Sequence, residues 1–338
     1  MLHPQVSADD ITLRWSHGEL RISPTAAMLL DARLRTPTGW MSPFAAPHWD
    51  RDDPDVAGLA GHIRMLGGEF VCLPFGSAPL PADAAPGWLE AAGGDAIDAP
   101  SPPHGASADR DWQVVGRVPS RVVLALDLPE PDPVCRIERS ISGIDGEAAI
   151  RFGLRIHARR AHRTSLGLHP IFRMPRSGET LTIDADFARG RTHPALVEGG
   201  SGLIPPDTAF SSLTDVGGID VSTLPFAEEA EEVLQLLDVE PPVRLRWSNG
   251  DEVALDWPRE HLPSVLLWCS DRRLTGAPWN GRYRGLGVEP IASAFDLPPT
   301  VSVAGNPLAQ AGHATSLALD PRVPFAIEYR ITAFGIMN

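Results

Sequence analysis

Hydrophobic and polar residues alternate along most of this chain. The alternation runs through residues 11–22, 112–160 and 323–334, and it is clearest in residues 243–257 on the two sides of Asn249-Gly250. A period of two residues is that of β-strands with one buried face. An Asn-Gly pair between two alternating stretches is a strong signal for a hairpin. These patterns predict antiparallel strands over much of the chain.

Three other stretches complete the predicted organisation. Residues 264–269 are continuously apolar and predict a strand that is buried on both faces. Residues 227–237 are acidic and then apolar, which fits either a short helix or the start of a strand. Residues 77–103 are rich in Ala, Pro, Gly and Asp and predict a long loop, which is unusual in a compact domain unless it is functional. No strand–helix–strand alternation is present, so we predict one all-β domain over residues 1–338, a large antiparallel β-sandwich.

Charge and composition exclude several classes of partner. The chain has 338 residues and a formal net charge of -14, with 43% hydrophobic and 21% charged residues. A nucleic-acid or anionic-membrane surface needs a basic field, so neither partner is expected. Arg151, Arg155, His157 and Arg159 alternate with apolar residues, and we interpret them as a solvated strand face.

Cofactor chemistry also finds little support. There is no lysine, which excludes a lysine Schiff base and a P-loop. The three cysteines are far apart and fit reduced thiols. The spacing of His157, His162 and His169 fits no set of metal ligands. Without a secretory signal in residues 1–4 or an apolar stretch of ~20 residues, a cytoplasmic protein without metal or cofactor is expected.

Three residues remain as candidates for chemistry: His104, His169 and Glu289. Each lies in or beside a Gly- or Pro-marked segment at the edge of a predicted strand. His169 and Glu289 are followed directly by proline, which cannot donate to a sheet ladder. Two imidazoles and a carboxylate suffice for acid–base chemistry on a hydroxyl group. A structural role at a strand end is the alternative for each of them.

Four segments carry a resemblance to a known family. They are Gly-Gly-Glu-Phe-Val-Cys-Leu-Pro-Phe-Gly at 67–76, Pro-His-Gly with a following Trp at 103–112, Leu-His-Pro-Ile-Phe at 168–172, and Gly-Val-Glu-Pro at 287–290. In this order they resemble segments of the aldose 1-epimerase (mutarotase) family, including its hexose-6-phosphate 1-epimerase branch. The resemblance covers roughly residues 65–296 and implies that family's large antiparallel β-sandwich.

The resemblance also implies a reaction and its residues. His169 would be the general acid, Glu289 the general base and His104 the imidazole that holds the substrate. The reaction would interconvert the α and β anomers of a monosaccharide by opening its ring. We expect an ionised Glu289 and a protonated His169, whose mutual field lowers the pKa of the carboxyl and raises that of the imidazole.

The residues that anchor the substrate in this family differ here. Leu66 stands where the hexose-6-phosphate branch has an arginine, and residues 77–87 hold none. A neutral sugar is therefore favoured over a phosphorylated one, with Arg64 as a candidate contact. Other arginines near the motif segments are further candidates for a phosphate site: Arg110, Arg173, Arg282 and Arg284.

Aromatic residues are expected to contact the apolar face of the sugar. Trp279, in the loop before Glu289, and Phe75 are the candidates. Trp15, Trp247 and Trp257 are expected in the core, because they lie on strand faces. Two other functions stay open, a catalytically silent carbohydrate-binding protein and a sugar lyase or hydrolase on the same fold. The sequence does not indicate which sugar binds or how many chains assemble.

Overall fold

The computed structural model describes residues 9–200 and 202–335. The interpretation that no secretory signal begins the chain concerns residues 1–4, which lie outside these ranges. The helices are short: α1 Gly61–Met65, α2 Pro86–Ala91, α3 Pro299–Val303 and α4 Pro307–Gln310, with a 3-10 turn at Ala106–Ala108. In the described part of the chain, no helix is long and apolar enough to cross a membrane.

Strands make up most of the regular structure. The first twelve are β1 Ile11–Trp15, β2 Gly18–Ile22, β3 Leu29–Thr36, β4 Gly39–Met41, β5 Val71–Cys72, β6 Gln113–Val118, β7 Arg121–Asp127, β8 Val134–Gly143, β9 Ala149–Ala158, β10 His162–Thr164, β11 Leu166–Leu168 and β12 Ile171–Phe172. The others are β13 Leu181–Asp186, β14 Arg189–Thr192, β15 Ala209–Phe210, β16 Thr223–Leu224, β17 Glu231–Leu237, β18 Glu240–Trp247, β19 Asp251–Asp256, β20 Ser264–Asp271, β21 Arg284–Ala292, β22 Leu317–Leu319 and β23 Phe325–Gly335.

Two large antiparallel sheets dominate the structure. One has nine strands in the order β16-β13-β18-β19-β23-β9-β8-β7-β6. The other has eight, in the order β15-β14-β17-β20-β21-β11-β5, with β12 paired to β21. A four-stranded sheet, β1-β2-β3-β4, and the pair β10-β22 complete the described strands. The predicted antiparallel β-sandwich is confirmed.

The eight-stranded sheet is buried on both faces. In β20, Val265 and Leu267 belong to a hydrophobic cluster that they share with the nine-stranded sheet. Leu266, between them, belongs to a second cluster with residues of the loops that cover the other face. Successive side chains of a strand point to opposite faces, so both faces need apolar residues. This explains the continuous apolar run at 264–269 and leaves the loop-covered face available for a site.

The structure shows what the less certain stretches of the sequence form and where the predicted core tryptophans lie. Residues 227–237, left open between helix and strand, contain β17, whose residues are all buried in the interior of the eight-stranded sheet. The loop at 77–103 contains only one short helix, α2. Trp247 and Trp257 are buried as expected. Trp15 is only partly buried, because it packs at the edge of the core over Gly18 and Gly143.

Candidate active site

Glu289 lies in the interior of the eight-stranded sheet. In β21 it is opposite Leu266 of β20, which is in turn opposite Gln235 of β17. Residues directly across from each other share a face, so Glu289 points to the loop-covered side. Gly287, two residues earlier, is on the same face, and a Cβ there would lie 2.3 Å from Glu289 Oε1. The glycine therefore provides the space that the carboxyl group occupies.

His169 faces Glu289 from the gap between β11 and β12. Its backbone N–H donates to the Phe70 carbonyl at 2.9 Å, and its ring stacks on the Phe70 ring with centroids 4.4 Å apart. Its Nε2 lies 3.4 Å from Glu289 Oε1, an ion-pair distance without a hydrogen bond. The two side chains are 7% and 1% exposed. The chain thus holds an imidazole and a carboxyl group together in a site shielded from water.

His104 and His62 extend this pair into a group of imidazoles. The ring centroid of His104 lies 5.2 Å from that of His169 and 5.3 Å from that of His62, which is on α1. His104 has a positive φ of 58°, and its N–H donates to the Gly76 carbonyl at 2.7 Å. This left-handed conformation is uncommon outside glycine, and it turns the ring toward the site.

A cavity of about 460 Å³ lies in front of these residues. Pockets of ~300–1,000 Å³ hold small organic ligands, so a monosaccharide fits in size. The loop at 77–103 forms one wall. Four histidines line it: His62, His104, His169 and His193. Four acidic residues line it as well: Glu198, Glu231, Glu289 and Asp296.

Of the two aromatic residues predicted to contact the sugar, Trp279 lines the cavity and Phe75 packs behind it. Trp279 lines the cavity and is partly buried, packed on Trp49 and Tyr283 with ring centroids 5.3 and 5.1 Å away. Phe75 does not line it. Its ring is fully buried, 5.0 Å from that of His104, so it supports the imidazole from behind.

None of the arginines that were candidates for binding lines the cavity: Arg64, Arg110, Arg173, Arg282 and Arg284. Arg64 lies on α1, whose side chains at positions 62 and 63 are the ones that reach the cavity. Arg173 is paired with Glu179 and Asp251 instead. Among the described residues the cavity lining contains no arginine, which agrees with the absence of the arginine expected before Gly67.

Five titratable residues of the lining were not found from the sequence: His62, His193, Glu198, Glu231 and Asp296. His193 had a signal, because it is followed by Pro194, as His169 is by Pro170. The other four carry no motif. Glu231 is the first residue of β17, in a stretch that the sequence left open between a helix and a strand. Asp296 lies in an irregular turn after β21.

Burial controls the protonation of the pair. It raises the pKa of Glu289 well above its usual range, and the Asp296 carboxylate raises it further. Burial lowers the pKa of His169 to about 3, with a smaller contribution from His62. The expected shifts from the mutual field of an ion pair are therefore wrong in direction. Desolvation disfavours both charged forms and outweighs their attraction.

The same effect acts on the neighbouring groups. Burial lowers the pKa of His104 well below its usual range and that of His62 to about 4. It raises the pKa of Glu231 to about 8, although Trp268 and Ser270 donate hydrogen bonds to that carboxyl. Near neutral pH these shifts leave His62, His104 and His169 mostly uncharged. They keep the buried carboxyl groups of Glu231 and Glu289 mostly protonated. No group of three His, Cys, Asp or Glu side chains in the described ranges is placed to hold a metal ion.

Comparison with known proteins shows similarity at the level of structure. No family model matches the chain, and no curated protein sequence matches it. A candidate aldose 1-epimerase from Escherichia coli K12 is 13% identical, with a TM-score of 0.65 over 97% of this chain and 99% of that one. An aldose epimerase homologue from C. elegans is 14% identical, with a TM-score of 0.62 over 97% and 99%.

A galactose mutarotase-like protein from Lactobacillus casei is 15% identical, with a TM-score of 0.58 over 96% of this chain and 99% of that one. At such identities the similarity establishes the fold. It extends over nearly the whole of each chain and includes the segments that carried the sequence resemblance. These neighbours confirm that resemblance, and the chain has the fold of the aldose 1-epimerase and galactose mutarotase-like proteins.

Proposed function

We propose that this protein is an aldose 1-epimerase that interconverts the α and β anomers of a non-phosphorylated aldose. The observation that carries the proposal is the buried contact of 3.4 Å between His169 Nε2 and Glu289 Oε1 at the wall of a sugar-sized cavity. The ring oxygen and the C1 hydroxyl of an aldose are bonded to the same carbon. An acid and a base this close together therefore reach both oxygens.

The reaction needs one proton acceptor and one proton donor. As the ring opens, one group takes the proton of the C1 hydroxyl and the other protonates the ring oxygen. The C1–C2 bond then rotates, and the ring closes on the other face with the roles exchanged. Because burial places the proton on Glu289 and leaves His169 neutral, the resting pair still holds one transferable proton. Each turnover uses both residues in both roles.

His104 is proposed to hold the sugar. Its ring is nearly perpendicular to that of His169, at 85°, and lies beside it at the cavity wall. Its lowered pKa keeps the imidazole neutral. Nδ1 accepts the backbone N–H of Gly76 at 3.5 Å, which leaves the N–H of Nε2 to donate to the sugar. Trp279 offers an aromatic surface for the C–H face of the sugar.

Anomer exchange of freshly dissolved α-glucose and α-galactose tests the proposal, followed by polarimetry or NMR. The wild-type protein should accelerate the exchange above the buffer rate. Glu289→Gln keeps the size of the side chain but removes its proton transfer, so the rate should fall by about 10²-fold or more while sugar affinity changes little. His169→Asn should behave in the same way.

A matched control is Glu138→Gln, which removes a partly exposed carboxyl in β8 that pairs with Arg136. It should leave the exchange rate unchanged. A wild-type protein that binds sugar without accelerating exchange would instead be a carbohydrate-binding protein. If Glu289→Gln instead reduces the amount of folded protein while the folded molecules keep normal activity, the carboxyl group has a structural role.

A further inference from the structure

A second imidazole–carboxylate pair lies in the same cavity. His193 Nε2 is 3.7 Å from Asp296 Oδ1, and both residues line the cavity. His193 follows β14, and Asp296 follows β21. The distance is too long for a hydrogen bond, and neither atom has any other hydrogen-bond partner. Buried polar atoms without a partner are rare and call for an explanation.

The other polar atoms of both side chains are fixed. His193 Nδ1 lies 2.8 Å from the carbonyl oxygen of Ala195. The backbone N–H of Ala195 also points at Nδ1, at a longer distance of 3.3 Å. The contact with the carbonyl oxygen is the shorter one, and that oxygen only accepts hydrogen bonds, so we assign the proton to Nδ1 and the lone pair to Nε2. Asp296 Oδ2 accepts a hydrogen bond from the Ser77 hydroxyl at 3.0 Å. The two remaining atoms, Nε2 and Oδ1, are therefore both acceptors.

Two acceptors that face each other across 3.7 Å need hydrogens from a third group. A single atom placed between them must give one hydrogen to each, as an amine does. Two neighbouring hydroxyl groups on a sugar ring meet the same requirement, with one hydrogen bond each. An anionic group cannot, because a phosphate or carboxylate would add further acceptors to the gap.

The charge around the gap favours the same kind of ligand. No arginine lines the cavity within the described ranges, and Asp296 is close enough to Glu289 to raise the pKa of that carboxyl. Both imidazole–carboxyl pairs line one cavity, so a single bound molecule can contact both of them.

Resting on the proposed function, we propose that His193 and Asp296 form a specificity subsite that receives hydrogen-bond donors of the sugar, either an amino group or two adjacent hydroxyls. The subsite selects neutral or amino aldoses and rejects aldoses that carry a phosphate or a carboxylate. Asp296 and His193 bind the substrate in this arrangement and take no part in proton transfer.

The test is titration of the wild-type protein and of Asp296→Asn with glucose, glucosamine, glucose 6-phosphate and glucuronate. Asparagine has the shape of aspartate, and its amide N–H can donate to His193 Nε2, which fills the gap and keeps the fold. The variant should bind its preferred sugar at least 10-fold more weakly, whereas the exchange rate at saturating sugar should stay within a few-fold. A thermal melt of the variant checks that it is folded.

Glu138→Gln is the matched control, because Glu138 is a partly exposed carboxyl in β8 that does not line the cavity. It removes the same charge and should change affinity less than twofold. A preference for glucosamine that Asp296→Asn abolishes identifies an amine as the donor. Equal affinities for glucose and glucosamine, both reduced in Asp296→Asn, identify the hydroxyl pair.

Three results would overturn the subsite. They are equal effects of Asp296→Asn and Glu138→Gln, preferential binding of glucose 6-phosphate or glucuronate, and no binding of any of the four sugars. Binding that depends on Asp296 without any anomer exchange would remove the proposed reaction but keep the subsite. Exchange kinetics therefore test the proposed reaction, and sugar titration tests the subsite.

Discussion

At the scale of single residues, the site depends on the low polarity around Glu289 and His169. A carboxyl group and an imidazole that are nearly excluded from water gain little from forming an ion pair, because each loses its hydration. The proton therefore stays on Glu289 while His169 keeps its lone pair. In the proposed reaction, the hydroxyl groups of a bound sugar would offer hydrogen bonds to both side chains.

The pH dependence of the reaction follows from the two pKa shifts. Protonation of His169 removes the acceptor, and this happens only as the pH approaches about 3. Loss of the proton from Glu289 removes the donor, and the raised pKa of this carboxyl delays that loss. We expect kcat/KM, corrected for the buffer rate, to show no inflection near the ordinary histidine pKa of about 6.5. An inflection there would mean that His169 titrates as an exposed imidazole.

The same shifts predict how stability depends on pH. Between the ordinary glutamate pKa of about 4.3 and its raised folded value, the folded state keeps the proton of Glu289 and the unfolded state does not. The stability contributed by this group therefore falls as the pH rises. Glu289→Gln removes the effect, so its free energy of unfolding relative to wild type should increase by up to ~1.4 kcal/mol per pH unit in this window.

Chemical unfolding at about pH 5 and about pH 8 measures that difference. His169→Asn is the contrasting variant, because the lowered pKa of His169 destabilises the folded state as the pH falls below about 6.5. The free energy of unfolding of His169→Asn relative to wild type should therefore increase as the pH falls below about 6.5. A pH-independent difference for Glu289→Gln would show that the carboxyl titrates alike in the folded and unfolded chains.

At the scale of elements, β21 carries both the shape and the chemistry of the site. Alternation along the strand puts Gly287 and Glu289 on the cavity face, while Val288 enters the core shared with the other sheet. Gly287→Ala would place a methyl group where Glu289 Oε1 lies. We expect it to displace the carboxyl group and to lower the anomer exchange rate by at least 10-fold.

The matched control is Gly146→Ala, in a turn where a Cβ would meet no other atom. Gly146 has a positive φ of 80°, so alanine there strains the backbone remote from the site. Gly146→Ala should lower the melting temperature without changing activity per folded molecule. If Gly287→Ala retains full activity, Glu289 does not need the position that the structure gives it.

Different features of the sequence predicted the strands and the proposed catalytic residues His169 and Glu289. Alternation is local, so hairpins such as β18–β19 could be located directly from the order of residues. His169 and Glu289 lie next to prolines and glycines that mark the segments around them. His193 and Asp296 could not be paired, because the contact joins loops that are 103 residues apart along the chain and neither loop has a regular pattern.

At the scale of the whole molecule, a buried ion pair connects the site to the nine-stranded sheet. Glu69 belongs to the Gly-Gly-Glu segment that leads into β5, and Arg139 comes from β8. The Arg139 guanidinium pairs with Glu69 Oε2, and the Tyr329 hydroxyl of β23 donates to Glu69 Oε1 at 2.7 Å. The side chains of Glu69 and Arg139 are both 0% exposed. Arg139 lies on an otherwise apolar face of β8. Its partner Glu69 is distant in the sequence, so the local pattern of residues did not predict this ion pair.

This network predicts a large effect on stability from a single substitution. Arg139→Met leaves the Glu69 carboxylate buried without its cation, which should reduce the free energy of unfolding by about 3–5 kcal/mol. Adding Glu69→Gln removes the buried charge and keeps an acceptor for Tyr329, so the double variant should recover more than half of the loss. Urea unfolding of the wild type and the three variants of the cycle measures both effects.

The control for the ion pair is Arg136→Met, three residues before Arg139 in β8. Arg136 pairs with Asp127 and Glu138 on the partly exposed face of the same strand. Pairs that water reaches contribute only about 0–1 kcal/mol, so this variant should stay close to wild type. Equal losses for Arg136→Met and Arg139→Met would contradict the assignment. A loss confined to Arg139→Met, and reversed by Glu69→Gln, places the ion pair between the cavity segment and the nine-stranded sheet as a main support of the fold.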